Sequence, residues 1–272
     1  MTSSPVAIVT GASSGIGQAI AQQLVAAGYR VFGSRLIDEP DGSIGGVPLL
    51  PLDVDDTDSV GGYVAAVLAA AGSVDVLVNC AGFGIAGSVE ETTIEEAKAQ
   101  FETNYFGVHR MCRAVLPEMR RRRSGKIITV SSLGGLIALP FQATYSATKF
   151  ALEGLMEGLR HEVRPYRISV SLVEPADFAT GFTAGRRIVA AAAATDSPYA
   201  GAFTAALGVV TEDETGGWGP EAIGRLAVRI ARSRSPRLRY TVGRLDERAV
   251  AHLKRVVPNR LFEPIVGGHY RR

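Results

Sequence analysis

Apolar, largely β-branched runs recur along the chain, separated by stretches with a helical repeat. Runs at Pro5–Thr10, Arg30–Ser34, Val47–Leu52, Val74–Asn79, Lys126–Ser131, Ile168–Glu174 and Leu238–Val242 predict seven strands. The first and fourth are almost wholly apolar, as strands covered on both faces are. Helical patterns fall near residues 15–27, 57–71, 93–121, 143–163 and 220–232. This alternation predicts an α/β fold with a parallel sheet and helices on both faces, doubly wound because such crossovers are right-handed. No break in composition divides the chain, so residues 1–272 read as one domain.

Two segments depart from the pattern. Residues 36–46 hold Pro40 and three glycines, which argues against a full crossover helix there. Residues 176–219 mix an alanine run with Gly and Pro breaks and read as a long, mobile insertion. They follow the sixth strand, at the carboxyl edge where such sheets bind ligands, so a lid is expected.

Composition narrows the class of protein. The 272 residues carry 29 Lys and Arg against 27 Asp and Glu, a formal charge of +2, which does not suit a protein that coats nucleic acid. With 46% apolar and 21% charged residues, wholesale disorder is excluded. There is no run of about 18 uncharged apolar residues, so no membrane span is expected. The first residues lack a secretory pattern. Cys80 and Cys112 are too few for a disulfide framework, and a reducing, cytoplasmic location is expected.

Candidate chemistry begins at Thr10-Gly11-Ala12-Ser13-Ser14-Gly15-Ile16-Gly17, between the first strand and the first helix. Glycines allow a sharp turn and close approach to a phosphate, and the helix amino end offers free N–H donors. Gly82-Phe83-Gly84-Ile85-Ala86-Gly87 matches the general G-x-G-x-x-G spacing but opens no helix, so it reads as a lining loop. At the end of the second strand Arg35 stands where a carboxylate would bond a ribose hydroxyl. A guanidinium there suits a 2′-phosphate and favours NADP(H); Asp38, three residues on, leaves NAD(H) possible.

Tyr145 and Lys149 are four residues apart at the start of a helical stretch and so share one face. An ammonium about 4 Å from a phenol is worth on the order of 4 kcal/mol at an effective dielectric near 20, enough to lower its pKa by about 3. That would make Tyr145 a working proton donor or acceptor. Ser132, just past the fifth strand, is placed to hold a carbonyl oxygen for that transfer. Asn104, an unfavourable residue in mid-helix, would bond the backbone or order a water behind Lys149.

Taken together and in order, these motifs resemble the short-chain dehydrogenase/reductase family over residues 5–265. The resemblance implies a single Rossmann-like sheet of seven mostly parallel strands. It implies that Gly11, Ser13, Ser14, Gly15, Ile16 and Gly17 cradle the pyrophosphate and that Asp53 and Val54 frame the adenine. Asn79, Ala81 and Gly82 would steady the sheet and flank the ribose. Pro175, Phe178 and Thr180 would hold the nicotinamide end, with Lys149 on the ribose hydroxyls. Tyr145 would be the acid/base, Ser132 the carbonyl-orienting group and Asn104 the water anchor. Cys80 and Ala176 replace residues common in the family.

Phe150–Leu155, Leu133–Pro140 and the tail from Pro236 are similar to the 17β-hydroxysteroid and retinol dehydrogenase branch, which implies a bulky apolar carbonyl or alcohol substrate. A homodimer or homotetramer is expected on the same ground. The rival reading is a dinucleotide-binding sensor or scaffold without turnover, although it has no need of Ser132, Tyr145 and Lys149 together. Arg120–Arg123 reads as a basic helix end that complements the dipole. The four histidines lack ligand spacing, so no metal is expected. Residues 262–267 form a short apolar tail expected to pack on the lid or on a neighbouring subunit.

Overall fold

A computed structural model describes residues 4–39, 42–194, 196–254 and 256–270. Pro40 and Asp41, within the irregular 36–46 segment, and Thr195, within the expected lid, lie outside the described residues.

In chain order the principal elements begin with β1 (Val6–Val9), α1 (Gly15–Ala26), β2 (Arg30–Arg35), β3 (Gly42–Ile44) and β4 (Val47–Pro51). Then come α2 (Thr57–Ala71), β5 (Val76–Asn79), β6 (Ile85–Ala86), α3 (Ile94–Phe101) and α4 (Val108–Arg122), with a π-helical turn, Glu102–Gly107, joining α3 to α4. They continue as β7 (Gly125–Val130), α5 (Ala143–Val163), β8 (Ile168–Pro175), β9 (Arg187–Ile188) and α6 (Ala200–Thr215). The last are α7 (Glu221–Arg232), β10 (Arg239–Val242), α8 (Leu245–Leu253) and α9 (Asn259–His269).

The main sheet runs β10-β8-β7-β5-β1-β2-β4-β3. The seven expected strands are its parallel members; β3 is an eighth, antiparallel to β4 at the edge. Among the described residues of 36–46 there is no helix. Instead β3 folds back on β4 through Gly45 and Gly46, whose φ values of 58° and 81° are those of a tight hairpin turn. The strand order reverses between β1 and β5, and both strands end at one carboxyl edge.

Each face is sealed by a helical layer. On one side Ile20, Leu24, Ile223 and Ile230 of α1 and α7 pack on Val9, Val31 and Val76. On the other Val64, Val67, Met111, Val115, Leu152 and Met156 of α2, α4 and α5 pack on Ile8, Leu77 and Ile127. The arginine run ends α4: Arg122 pairs with Asp75 at 2.8 Å and Arg121 with Glu118 at 2.8 Å, which binds the charges to their own chain.

The described residues of 176–219 contain regular elements that the loop reading did not anticipate. They hold β9, which pairs with β6, and the 16-residue α6. Ile85, Val189 and Phe203 bury together beneath it. Phe262 of the apolar tail packs against Ile137 and Ala251 of its own chain. Composition favoured loops in these stretches, and α6 forms because it finds an apolar surface to cover. Among the described residues no helix is long and apolar enough to cross a membrane.

Candidate active site

The carboxyl edge of the sheet opens into a cavity of about 1320 Å³ that runs from the glycine turn to Tyr145 and on to the carboxyl-terminal helices. At one end, Gly11 has φ 65° and lies against Ala81: a Cβ there would approach the Ala81 Cα to 3.0 Å. A Cβ on Gly17 would sit 2.0 Å from the Gly11 carbonyl oxygen. Both glycines are therefore dictated by the turn itself. Ser14 caps α1 with extended backbone but makes no side-chain cap bond, and it lies in the cavity wall with Ser13, Gly15 and Ile16. Thr10 ties the turn to the next loop, its Oγ1 accepting from the N–H groups of Cys80 at 2.9 Å and Ala81 at 3.0 Å.

Arg35 also lines the cavity, but its guanidinium turns back on its own loop. It donates to the carbonyls of Leu36 at 3.0 Å, Ile37 at 3.1 Å and Glu39. The Glu39 carboxylate, which the pattern of motifs did not single out, accepts from Ser13 Oγ at 3.3 Å. Asp53, Val54, Ala81, Gly82, Pro175, Phe178 and Thr180 all reach the cavity wall.

Asn79 and Asn104 do not line this cavity; they brace it from behind. Asn79 is 1% exposed and donates to Thr129 Oγ1 at 3.2 Å, across to β7. In the π-helical turn, Asn104 Oδ1 accepts from the Phe83 N–H at 3.0 Å, and its Nδ2 donates to the Phe83 carbonyl at 3.0 Å and to Thr148 Oγ1 at 3.1 Å. Of the two uses expected for this amide, the structure shows backbone bonding.

Ser132, Tyr145 and Lys149 come together at the other end of the cavity. Ser132 follows β7, its Oγ accepts from the Gly134 N–H at 2.9 Å, and its hydroxyl favours the ionised form of the neighbouring Tyr145. Lys149 Nζ lies 5.7 Å from the centre of the Tyr145 ring and donates to the Val130 carbonyl at 3.1 Å.

The expected lowering of the phenol by the ammonium is not what this geometry gives. Both side chains are buried, and desolvation opposes charge on each. Burial pushes Tyr145 up to about 12; the Ser132 hydroxyl pulls it down, Glu214 pushes it up, Arg186 pulls it down and Asp177 pushes it up. Burial likewise brings Lys149 down to about 8.

Sequence reasoning missed several groups facing Tyr145. Asp177, Asp213, Glu214, Glu247 and Tyr270 enter the cavity from the segment after β8 and from the carboxyl-terminal helices. Gln142 lines it one turn before Tyr145, and that helical spacing was legible in the sequence.

Residues 5–188 match the sequence profile of the short chain dehydrogenases. The chain belongs to the short-chain dehydrogenase/reductase family. It is an oxidoreductase of that family, acting between CH–OH and carbonyl groups with a nicotinamide dinucleotide as cofactor. It is 41% identical to a 3-ketodihydrosphingosine reductase of Bacteroides thetaiotaomicron over 94% of both chains. Human retinol dehydrogenase 8 is 38% identical over 64% of this chain and 59% of its own. Among solved structures, a short-chain dehydrogenase from Streptomyces avermitilis superposes with a TM-score of 0.81 at 37% identity, covering 97% of both chains. A metagenomic short-chain oxidoreductase in complex with NADP gives 0.67 at 27% identity, over 89% of this chain and 98% of the other.

The residues present fit such a cofactor. Gly11, Ser13, Ser14, Gly15, Ile16 and Gly17 at the amino end of α1 line the cavity, the Ser14 hydroxyl is not spent on capping the helix, and the same cavity extends to Tyr145.

Proposed function

We propose that this chain, acting as one domain over residues 1–272, is an NADP(H)-dependent reductase of ketones carried on bulky apolar molecules. The observation that carries this reading is one cavity joining the glycine turn, the Ser132–Tyr145–Lys149 group and an apolar wall that includes Ile137, Leu139, Phe182, Val250 and Ile265. The long-chain ketone in the name of the Bacteroides relative is of this class.

Gly11, Ser13, Ser14 and the first turn of α1 would hold the pyrophosphate, Asp53 and Val54 the adenine, and Lys149 with Pro175–Thr180 the nicotinamide end. When bound, the dinucleotide supplies hydride to the substrate carbon. The chain supplies the rest. Ser132 and Tyr145 bond the carbonyl oxygen and fix its position against the cavity wall. A phenol whose pKa lies near 12 is protonated at neutral pH, the state a proton donor needs, so the buried Tyr145 favours reduction. As the carbon is reduced, the Tyr145 proton passes to the oxygen and the bulk solvent restores it by way of Lys149. A protonated Lys149 stabilises the phenolate left behind, and its pKa near 8 keeps it largely charged at neutral pH.

For the cofactor, Arg35 brings a guanidinium to the cavity wall at the adenosine end, which favours NADP(H). The Glu39 carboxylate over Ser13 is the observation that favours NAD(H) instead. A homodimer or homotetramer in the cytoplasm is part of the same reading, in keeping with the free thiols of Cys80 and Cys112. Nothing in the site favours a sensor without turnover. Oxidation of NADPH and NADH against a panel of long-chain, steroid and simple ketones tests the proposal. Turnover of bulky apolar ketones with NADPH preferred supports it; silence across the panel with cofactor bound overturns it.

A further inference from the structure

The α9 helix is apolar on two adjoining faces, and only one of them is covered. Phe262 and Val266, one turn apart, pack inward with Ile137 and Ala251. Leu261, Pro264 and Ile265 recur at helical spacing beside them and face solvent, Leu261 at 57% and Ile265 at 47% exposed. Val256, on the connection from α8 to α9, is 78% exposed. Apolar side chains exposed singly are ordinary, but a stacked pair on one helical face at a cavity mouth marks an interaction surface. Ile265 also lies in the cavity wall with Val250 and Val266, so this face runs into the opening.

The charge of this segment is a second, independent observation. Residues 244–272 carry seven Lys and Arg against three Asp and Glu, whereas the whole chain carries 29 against 27. The remainder of the chain is therefore net negative, and the positive charge is gathered at the carboxyl-terminal end. Two of the three acids already face a cation: Asp246 lies 3.0 Å and Glu247 3.9 Å from Arg244. Arg260, exposed at the start of α9, makes no hydrogen bond or ion pair among the described residues. Apolar side chains set beside uncommitted cations suit a helix that lies on an anionic bilayer. A second copy of the same basic surface would be repelled by it. Among the described residues no helix is long and apolar enough to cross a bilayer, so such contact is peripheral.

We propose that Val256, Leu261, Pro264 and Ile265 dock on the surface of an anionic phospholipid membrane, with the mouth of the cavity turned towards the acyl chains. Arg260 meets the headgroups, while Leu261 and Ile265 enter the boundary below them. Resting on the reductase reading above, a bulky apolar ketone then passes from the bilayer towards Tyr145 along Ile265, Val266, Val250 and Ile137, all of which line the cavity, without crossing water.

The test is flotation of the full chain with vesicles of phosphatidylcholine alone and of phosphatidylcholine with about one-third phosphatidylglycerol. Wild type, Leu261→Asp and Arg260→Gln are compared, with thermal melts to confirm that each variant folds. Both side chains are exposed and neither lines the cavity, so both variants should melt as the wild type does. The wild type should bind the anionic vesicles at least about tenfold more tightly than the neutral ones, and the difference should fade at high salt. Leu261→Asp should weaken that binding by about tenfold or more, and Arg260→Gln by about fivefold. No binding to either vesicle, or undiminished binding in Leu261→Asp, overturns the proposal. So does a dimer that Leu261→Asp splits, seen by light scattering without vesicle binding: the face is then a contact between copies.

Kinetics with NADPH test the delivery route. On a ketone carried in anionic vesicles Leu261→Asp should lose about fivefold or more in kcat/KM, yet it should reduce a water-soluble ketone within about twofold of the wild-type rate. Equal loss on both ketones overturns the route. Silence on every ketone with vesicle binding intact overturns the reductase reading and leaves the docking surface standing.

Discussion

Asn104 clasps the main chain of Phe83 from both sides, accepting from its N–H and donating to its carbonyl, each at 3.0 Å. A residue unfavourable in mid-helix is thus spent on holding the 82–83 loop in the cavity wall. Asn104→Ala removes these bonds and leaves the buried Thr148 hydroxyl without this donor. We expect a loss of about 1–3 kcal/mol, read by denaturant unfolding. Asn104→Asp should be no better, because a carboxylate cannot donate to the Phe83 carbonyl. Wild-type stability in both variants would contradict this role.

The glycine turn makes a sharper prediction. A Cβ on Gly17 would lie 2.0 Å from the Gly11 carbonyl oxygen, so Gly17→Ala must push the turn apart. Overpacking of this kind costs about 1–3 kcal/mol. Fluorescence titration with NADPH should show a weakened complex as well. An unchanged affinity would mean that the turn does not hold the pyrophosphate.

Asp177 ties stability to pH. Burial and its acidic neighbours raise its folded pKa to about 7, whereas an unfolded carboxylate titrates near 4. Between those values the folded chain binds more protons, so stability falls as pH rises from about 4 to about 7. In Asp177→Asn the midpoint of thermal unfolding should drop less between pH 5 and pH 8 than in the wild type. Parallel curves for the two proteins would contradict the assignment.

Cofactor choice can be read at Glu39. Its carboxylate bonds Ser13 and would repel a 2′-phosphate. At 4 Å such a repulsion is worth about 1 kcal/mol even at the dielectric of water, or roughly fivefold in affinity. Glu39→Gln should therefore shift the ratio of kcat/KM for NADPH over NADH upward by about that factor, and Arg35→Ala should shift it downward. No change in either would place both side chains outside the recognition of the ribose.

Much of this was legible in the sequence because it is local. Strand runs gave the parallel sheet, since burial on both faces forces continuous apolar residues, as in Val76–Asn79. The glycine turn and the Tyr145–Lys149 spacing were legible because each is fixed within one turn or one helix. The edge strand β3 was not, because the hairpin at Gly45 and Gly46 depends on pairing with β4. The state of Tyr145 was misjudged for a physical reason: spacing places a charge near it, but only the fold reveals the desolvation that outweighs that charge. Asp177, Glu214 and Tyr270 meet only through packing between residues far apart in sequence, which no local pattern encodes.

The proton transfer assigned to Tyr145 is tested most directly by Tyr145→Phe, with NADPH oxidation on a reducible ketone measured beside NADPH affinity. The ring and its contact with Phe182 survive this change, and only the hydroxyl is lost. The account predicts that kcat falls by about a hundredfold to ten-thousandfold while cofactor affinity stays within about threefold. Turnover at the wild-type rate would contradict it.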